Sequence, residues 1–164
     1  MSTTPSTDTP DALALLAADH AQVKSLFDDF KALAEKAEED DAIEDIARTI
    51  CAMLTTHTSI EEEILYPAAR EALDDEDLLD EAQVEHDTAK ELIGLIESDG
   101  LESDLFVARV KVLGEYVEHH VKEEEEALFP KLRKTSLDLR ALGRQLKARK
   151  DELMPELAEH RDVE

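Results

Sequence analysis

Tryptophan is absent, cysteine occurs once, and the 164 residues include only four glycines and five prolines. A chain so poor in turn formers is not built from many short strands and reverse turns, so long helices are the expectation. The single cysteine, Cys51, can form no intrachain disulfide, which excludes a disulfide scaffold and fits a reducing compartment. Its place after Ile50 in an apolar-periodic stretch marks it as a buried thiol acting as a small hydrophobe. No apolar run approaches the ~18 residues of a membrane span, and MSTTPSTDT at the start lacks the basic and apolar regions of a secretory signal. A cytoplasmic location with no membrane partner is therefore expected. Positive charge is also scarce: 18 basic against 42 acidic residues give a formal net charge of −24. Such a surface repels phosphate backbones and anionic lipids, so no nucleic-acid partner is expected either.

What is present is apolar periodicity. Hydrophobic residues make up 42% of the chain, enough for one domain with a real core. Thr9 can cap a first helix with Pro10 at its first position, running to about Glu38, with Leu13, Leu16, His20, Val23, Phe27 and Phe30 on one stripe. Asp40 or Asp41 can cap a second, with Glu44 completing a capping box, whose stripe is Ile43, Ile46 or Ala47, Ile50, Leu54, His57, Glu61 and Leu65. A third, from about Asp75 to Glu97, carries Leu78, Leu79, Ala82, His86, Ala89, Ile93 and Ile96, and Ser98-Asp99-Gly100 stops it. A fourth begins near Ser103 and presents Phe106, Val110, Leu113, Val117, His120, Glu124 and Leu128. Short connections make sequential helices antiparallel neighbours, so the expected fold is all-α, an up-and-down four-helix bundle with an additional C-terminal helix. Residues 1–9 read as a flexible tail, 10–134 as the bundle and 135–164 as a basic helix and tail. Thr135 and Asp138 offer a box opening that last helix. Eight basic residues between Lys131 and Lys150 face the single acid Asp138, so this segment docks on the acidic bundle, as a solvated helix making weak ion pairs, or meets a protein partner.

The bundle carries a repeat. His57 to Pro67 read HTSIEEEILYP, His120 to Pro130 read HVKEEEEALFP, and HAQVKSLF at His20 is matched by HDTAKELI at His86. Within each second helix of a hairpin, four residues advance ~6 Å and turn ~40° past a full revolution, leaving His and Glu on one face. His57/Glu61 and His120/Glu124 can thus converge. Two ionised carboxylates in a bundle core cost several kcal/mol each unless opposite charge compensates them, roughly as divalent or trivalent ions would. Imidazole suits iron, zinc and related ions, and carboxylates can span two centres. Four histidines and two bridging glutamates give each ion two nitrogens and two oxygens, leaving room for a small ligand. One structural zinc needs only four ligands, and calcium does not favour histidine. Pro67 and Pro130 each remove a helical donor just after these motifs, so a local kink is expected at both.

At these residues, over about His20 to Arg133, the chain resembles the hemerythrin-like, or HHE cation-binding, family. The resemblance implies a four-helix bundle holding a non-haem di-iron centre, often with a fifth helix outside it. It assigns as ligands His20, His57 with bridging Glu61, His86, and His120 with bridging Glu124; manganese or zinc can substitute for the two irons. The chain departs from the oxygen carriers, whose third helix has His-x-x-x-His, because Lys90 follows His86 at that spacing. The four-His, two-Glu set is more similar to the di-iron part of iron–sulfur cluster repair proteins, although the cysteine-bearing domain those commonly add is not seen before His20. His119, five before Glu124, matches the spacing of the oxygen carriers; His120, four before it, matches His57/Glu61 and is the expected ligand.

Glu62, Glu63, Glu123, Glu125 and Glu126 are expected to point away from the stripe and serve solubility, with Glu62 or Glu125 able to adjust metal loading or fill an open position. Tyr66 and Tyr116 are expected in core packing, Tyr66 with a hydrogen bond near the site as the alternative. The leading functional expectation is a di-iron protein binding dioxygen, peroxide or nitric oxide, for oxidative or nitrosative stress handling or sensing. The alternatives are a metal-storage or buffering module without catalysis, and an acidic structural or interaction protein.

Overall fold

A computed structural model describes residues 10–36, 40–74 and 76–162. The elements are α1 (Ala12–Lys36), α2 (Asp40–Ile60), a π-helical turn (Glu61–Leu65), α3 (Tyr66–Ala72), α4 (Glu76–Asp99), a 3-10 turn (Gly100–Glu102), α5 (Phe106–Glu123), a second π-helical turn (Glu124–Leu128), α6 (Phe129–Arg133) and α7 (Leu139–Asp162). The expected tail over 1–9 with Thr9, the end of the first helix at Glu38 and the start of the third at Asp75 lie outside the described residues.

Two apolar clusters fix how the helices run. One gathers Leu13 and Leu16, Ile60 and Leu65, Leu79 and Ala82, and Leu128 and Leu132. The other gathers Val23, Phe27 and Phe30, Ile50 and Leu54, Ala89, Ile93 and Ile96, and Phe106, Val110 and Leu113. Along α1 and α4 the chain passes from the first cluster to the second; along α2 and α5 it passes back. That alternation is the up-and-down antiparallel bundle, with α1 packed on α2 and α5, and α4 on α2 and α5. His20, His57, His86 and His120 fall where each helix crosses from one cluster to the other.

Local chemistry moves several helix ends. Asp11 caps α1, its Oδ1 accepting from the Ala14 N–H at 2.8 Å, so Pro10 precedes the helix instead of opening it. Asp41 already lies within α2, and Glu44 pairs with Arg48 one turn on, at 2.7 Å. Gly100, with φ +54, takes the left-handed conformation at the expected stop of α4. The Ser103 Oγ accepts from the Leu105 N–H, delaying α5 to Phe106. Asp138 alone caps α7 through the Ala141 N–H at 3.0 Å, while the Thr135 hydroxyl donates back to the Leu132 carbonyl.

The basic helix α7 is not a loosely solvated appendage. It packs along α1 and α2, burying Leu142 and Leu146 in the first cluster, and Gly143 lets it approach the start of α1. A Cβ on Gly143 would stand 2.5 Å from the Pro10 carbonyl oxygen and 2.9 Å from the Ala12 nitrogen, backbone atoms that cannot swing aside. Gly143→Ala is therefore expected to destabilise: overpacking of about 1–3 kcal/mol outweighs the ~1 kcal/mol gained in helix propensity. A thermal melt in which the alanine variant is as stable as the parent would contradict this close contact. Cys51 is buried, and burial pushes its thiol up to about 12, so it is an inert apolar filler. Among the described residues no helix is long and apolar enough to cross a membrane.

Candidate metal centre

Each proline-containing repeat departs from α-helix in the same way. The Tyr66 N–H bonds to the Glu61 carbonyl and the Phe129 N–H to the Glu124 carbonyl, five residues back. The expected kinks are thus π-helical turns, placed just before prolines that have no N–H to give. Both turns begin at the glutamates of the His-x-x-x-Glu motifs, whose side chains are buried between the two apolar clusters, 0% exposed for Glu61 and 3% for Glu124.

The four imidazoles meet in two pairs. His20 Nε2 and His57 Nε2 are 3.2 Å apart, as are His86 Nε2 and His120 Nε2. Glu61 Oε1 lies 3.2 Å from His57 Nε2 and 3.1 Å from His86 Nε2. Glu124 Oε1 lies 3.3 Å from His20 Nε2, and its Oε2 lies 3.1 Å from His120 Nε2. Two four-residue groups result, His20/His57/Glu61/Glu124 and Glu61/His86/His120/Glu124, each with its donor atoms within 4.8 Å of one another. Both glutamates belong to both groups, as bridging requires. All six expected residues are brought together, and His120, not His119, is the one that enters; the His119 side chain is 64% exposed and faces Glu85 and Glu123.

The outward ring nitrogens are held just as consistently. His20 Nδ1 meets Glu125 Oε2 at 2.6 Å, His57 Nδ1 meets Asp19 Oδ2 at 3.3 Å, His86 Nδ1 meets Glu62 Oε2 at 2.9 Å, and His120 Nδ1 meets Glu85 Oε1 at 2.7 Å. A carboxylate on Nδ1 fixes the tautomer that turns the Nε2 lone pair inward and raises its basicity. Glu62 and Glu125, expected mainly on the surface, thus act on the rings. Asp19 and Glu85 were missed, although a signal was there: each directly precedes a repeat histidine, and each serves the ring of the following helix. Two of these acids carry an ammonium on their other oxygen, Lys150 on Asp19 at 2.6 Å and Lys90 on Glu62 at 2.7 Å. Lys90, at the position of the absent third-helix histidine, is turned outward to support His86 through Glu62.

This donor set fits a pair of transition ions. Inward Nε2 lone pairs 3.2 Å apart repel each other unless a cation or proton lies between them. At ~2.1 Å bonds that separation corresponds to an angle of roughly 100° at a shared ion. Glu61 Oε2 and Glu124 Oε1 are buried with no hydrogen-bond partner among the described residues, which an interior tolerates only where something else satisfies them.

Without metal, protons take that place. Burial lowers the His57 pKa, but Glu61 and Asp19 outweigh it and raise it to about 10. Burial likewise opposes, and Glu124 with Glu85 overcomes it, raising His120 to about 11. Burial works to raise Glu124, yet its partners hold it well below the carboxylate range. Both raised histidines hold protons that the unfolded chain, with histidine near ~6.5, has released. Their contribution to the stability of the metal-free protein is thus complete below that value and lost as pH rises through 10 to 11. Loading at pH 8 should correspondingly expel about two protons per chain. Calorimetry in two buffers of different ionisation enthalpy measures this; heats that do not depend on the buffer would contradict it.

Tyr66 joins the site instead of merely packing. Its hydroxyl donates to Glu124 Oε2 at 2.7 Å and lies 3.1 Å from His86 Nε2. Burial and the two glutamates raise its pKa well above the ordinary value, so the proton stays on oxygen. On the far side of the rings a cavity of about 30 Å³ lies among Val23, Leu54, Ala89, Val117 and the four histidines, room for one or two water-sized molecules. Tyr116, expected in the core, is 44% exposed at its edge.

The sequence model described as the hemerythrin HHE cation binding domain matches residues 11–132. A curated protein of Nostoc sp. (strain PCC 7120 / SAG 25.82 / UTEX 2576), named DNA nickase, is 30% identical over 115 residues, 70% of this chain and 31% of that protein. The chain therefore spans less than a third of that relative's length. No solved structure matches it significantly.

Proposed function

This chain belongs to the hemerythrin HHE cation-binding domain family, and from that premise we propose that it is a cytoplasmic non-haem di-iron protein that binds dioxygen, peroxide or nitric oxide in handling or sensing oxidative or nitrosative stress. The observation that carries this reading is the pair of Nε2 couples, each closed by the same two buried glutamates. The ligands would be His20, His57, Glu61 and Glu124 for one ion, and Glu61, His86, His120 and Glu124 for the other. A di-iron pair supplies a reversible change of oxidation state and coordination of a small ligand. The chain's own residues do the rest. Val23, Leu54, Ala89 and Val117 keep the cavity apolar and small. Tyr66 holds a proton at its hydroxyl, 2.7 Å from Glu124 Oε2, where it can be shared with a group arriving at the carboxylates. The four outer carboxylates hold the rings in position.

Anaerobic iron loading followed by optical spectroscopy with dioxygen, peroxide and nitric oxide tests this function; no spectral change with any of them would overturn it. Stoichiometric iron uptake that leaves added peroxide and nitric oxide unconsumed over many turnovers, and gives no ligand spectrum, would point to storage instead. The DNA nicking named for the Nostoc relative is not carried over, because the shared segment is a minor part of that protein and a net charge of −24 opposes DNA binding.

The outer shell gives a further expectation. Lys150 reaches from α7 to Asp19, which holds His57, so the C-terminal helix supports one half of the centre. Lys150→Met is expected to weaken metal binding by up to about tenfold, because Lys150 acts on His57 only through Asp19 and loss of a ring's direct partner costs about 10–100-fold. Competition with a chelator of known affinity measures it, and an unchanged constant would mean that α7 only covers the bundle.

A further inference from the structure

Three of the four ring-holding acids face something other than metal chemistry: Asp19 and Glu62 carry lysine ammoniums, and Glu125 lines an α1–α5 groove that Lys24 and Lys122 also line. Glu85 is different. Its Oε1 takes the His120 Nδ1 at 2.7 Å, while its Oε2 points outward to His119 Nε2 at 3.6 Å. His119 Nε2 is also 3.2 Å from Glu123 Oε1, one turn further along the same helix. Glu85, His119 and Glu123 thus form a third group whose donor atoms lie within 4.8 Å of one another, and this one is at the surface. At the place where two sister carboxylates have a fixed ammonium, Glu85 has an imidazole and a second carboxylate, a donor set suited to a divalent transition ion.

A second observation gives the group a direction. A crevice of about 10 Å³ is lined jointly by Glu85 and Glu123 of the surface group and by the buried His120 and Glu124, with Leu78, Ala82 and Leu128. It is about the size of a single water or a bare ion. The surface group and the buried donors therefore share one passage, and Glu85 and Glu123 border both. We propose that Glu85, His119 and Glu123 form an entry port that captures a divalent transition-metal ion from solution and passes it along this crevice to His120 and Glu124. The proposal rests on the reading of the interior residues as metal ligands. Capture needs no redox step: the ion exchanges water for His119 Nε2 and carboxylate oxygens, then exchanges those for the interior donors. An exposed cluster of this kind acts mainly on rate, because focused negative charge speeds cation encounter while the interior donors fix the final affinity.

Cobalt(II), whose visible absorption reports its ligands, can be mixed with the metal-free protein in a stopped-flow instrument. His119→Ala, which removes the port's nitrogen donor, and Glu123→Gln, which removes one of its negative charges and so acts through electrostatic steering, are each expected to slow the appearance of the interior spectrum about tenfold, within the range of such steering, while leaving the final spectrum and cobalt content unchanged. The same endpoint certifies that the variants fold. Glu91→Gln, which removes an exposed charge elsewhere on α4, should load at the parental rate. Parental rates in both port variants would overturn the proposal. Failure of the interior reading gives a different result, no interior spectrum even in the parent. For that case NMR of Glu61→Ala tests the port separately: cobalt should broaden the ring signals of His119, and their persistence at millimolar cobalt would overturn the proposal.

Discussion

Replacing Glu61 by alanine should remove both metal ions and not just one. The expectation follows from shared membership: Glu61 and Glu124 belong to each of the two donor groups, whereas each histidine belongs to only one. Losing Glu61 leaves each half with three donors and a single carboxylate to balance the charge of two cations in a buried layer. Removing even an outer partner costs 10–100-fold in affinity, so loss of a direct bridging donor should cost more than about 100-fold at each half. Metal content after desalting is expected to fall from about two ions per chain to well below one. His20→Ala is the comparison, since it touches one group and should spare most of the ion held by His86 and His120. Glu61→Gln separates chemistry from shape, because it keeps the volume and removes the charge. A Glu61→Ala protein that retains one fully occupied ion would show that the halves are independent and that the glutamate does not bridge.

Chelation should lower the melting temperature on the order of 10–30 °C. The site is a polar layer between two apolar clusters, and all four helices cross it. Ions that bind only the folded arrangement stabilise it by linkage, about 2.7–4.1 kcal/mol per site when free metal exceeds the dissociation constant 100- to 1,000-fold. Two sites at roughly 2–4 °C per kcal/mol for a chain of this length give the expected shift. Protons on His57 and His120 replace part of the lost charge, so the metal-free bundle should remain folded near neutral pH, with a lower melting point. Equal melting temperatures before and after verified metal removal would mean that the apolar clusters alone decide stability.

Much of this arrangement was legible in the chain because helical periodicity speaks directly about faces. The stripes running through His20, His57, His86 and His120 gave the bundle and the six converging residues, and the matched distances to Pro67 and Pro130 favoured His120 over His119. Harder to read were features set by neighbouring helices. Asp19 and Glu85 lie one residue before stripe histidines, and they reach rings on other helices, which no single-helix pattern reports. They do recur at the 66-residue offset of His20 and His86, and Glu62 and Glu125 recur at the 63-residue offset of Glu61 and Glu124, so the repeat itself held the clue. The prolines announced a disturbance, but that it would take the form of two π-helical turns starting at the glutamates depends on backbone hydrogen bonding. For α7 it was the apolar part of its docking that charge hid: basic residues dominate from Lys131 to Lys150, while Leu142 and Leu146, four apart, are buried. Tyr66 could be placed near the site, yet its hydroxyl contact with Glu124 on another helix could not be read from its own helix.

The central claim is tested most directly by anomalous diffraction at the iron edge from crystals of anaerobically loaded protein. Two iron peaks are expected, one within about 2.0–2.2 Å of His20 Nε2 and His57 Nε2 and the other equally close to His86 Nε2 and His120 Nε2, with Glu61 and Glu124 bonded to both. A single peak, or ions bound only at surface carboxylates while the four imidazoles contact one another and nothing else, would contradict it.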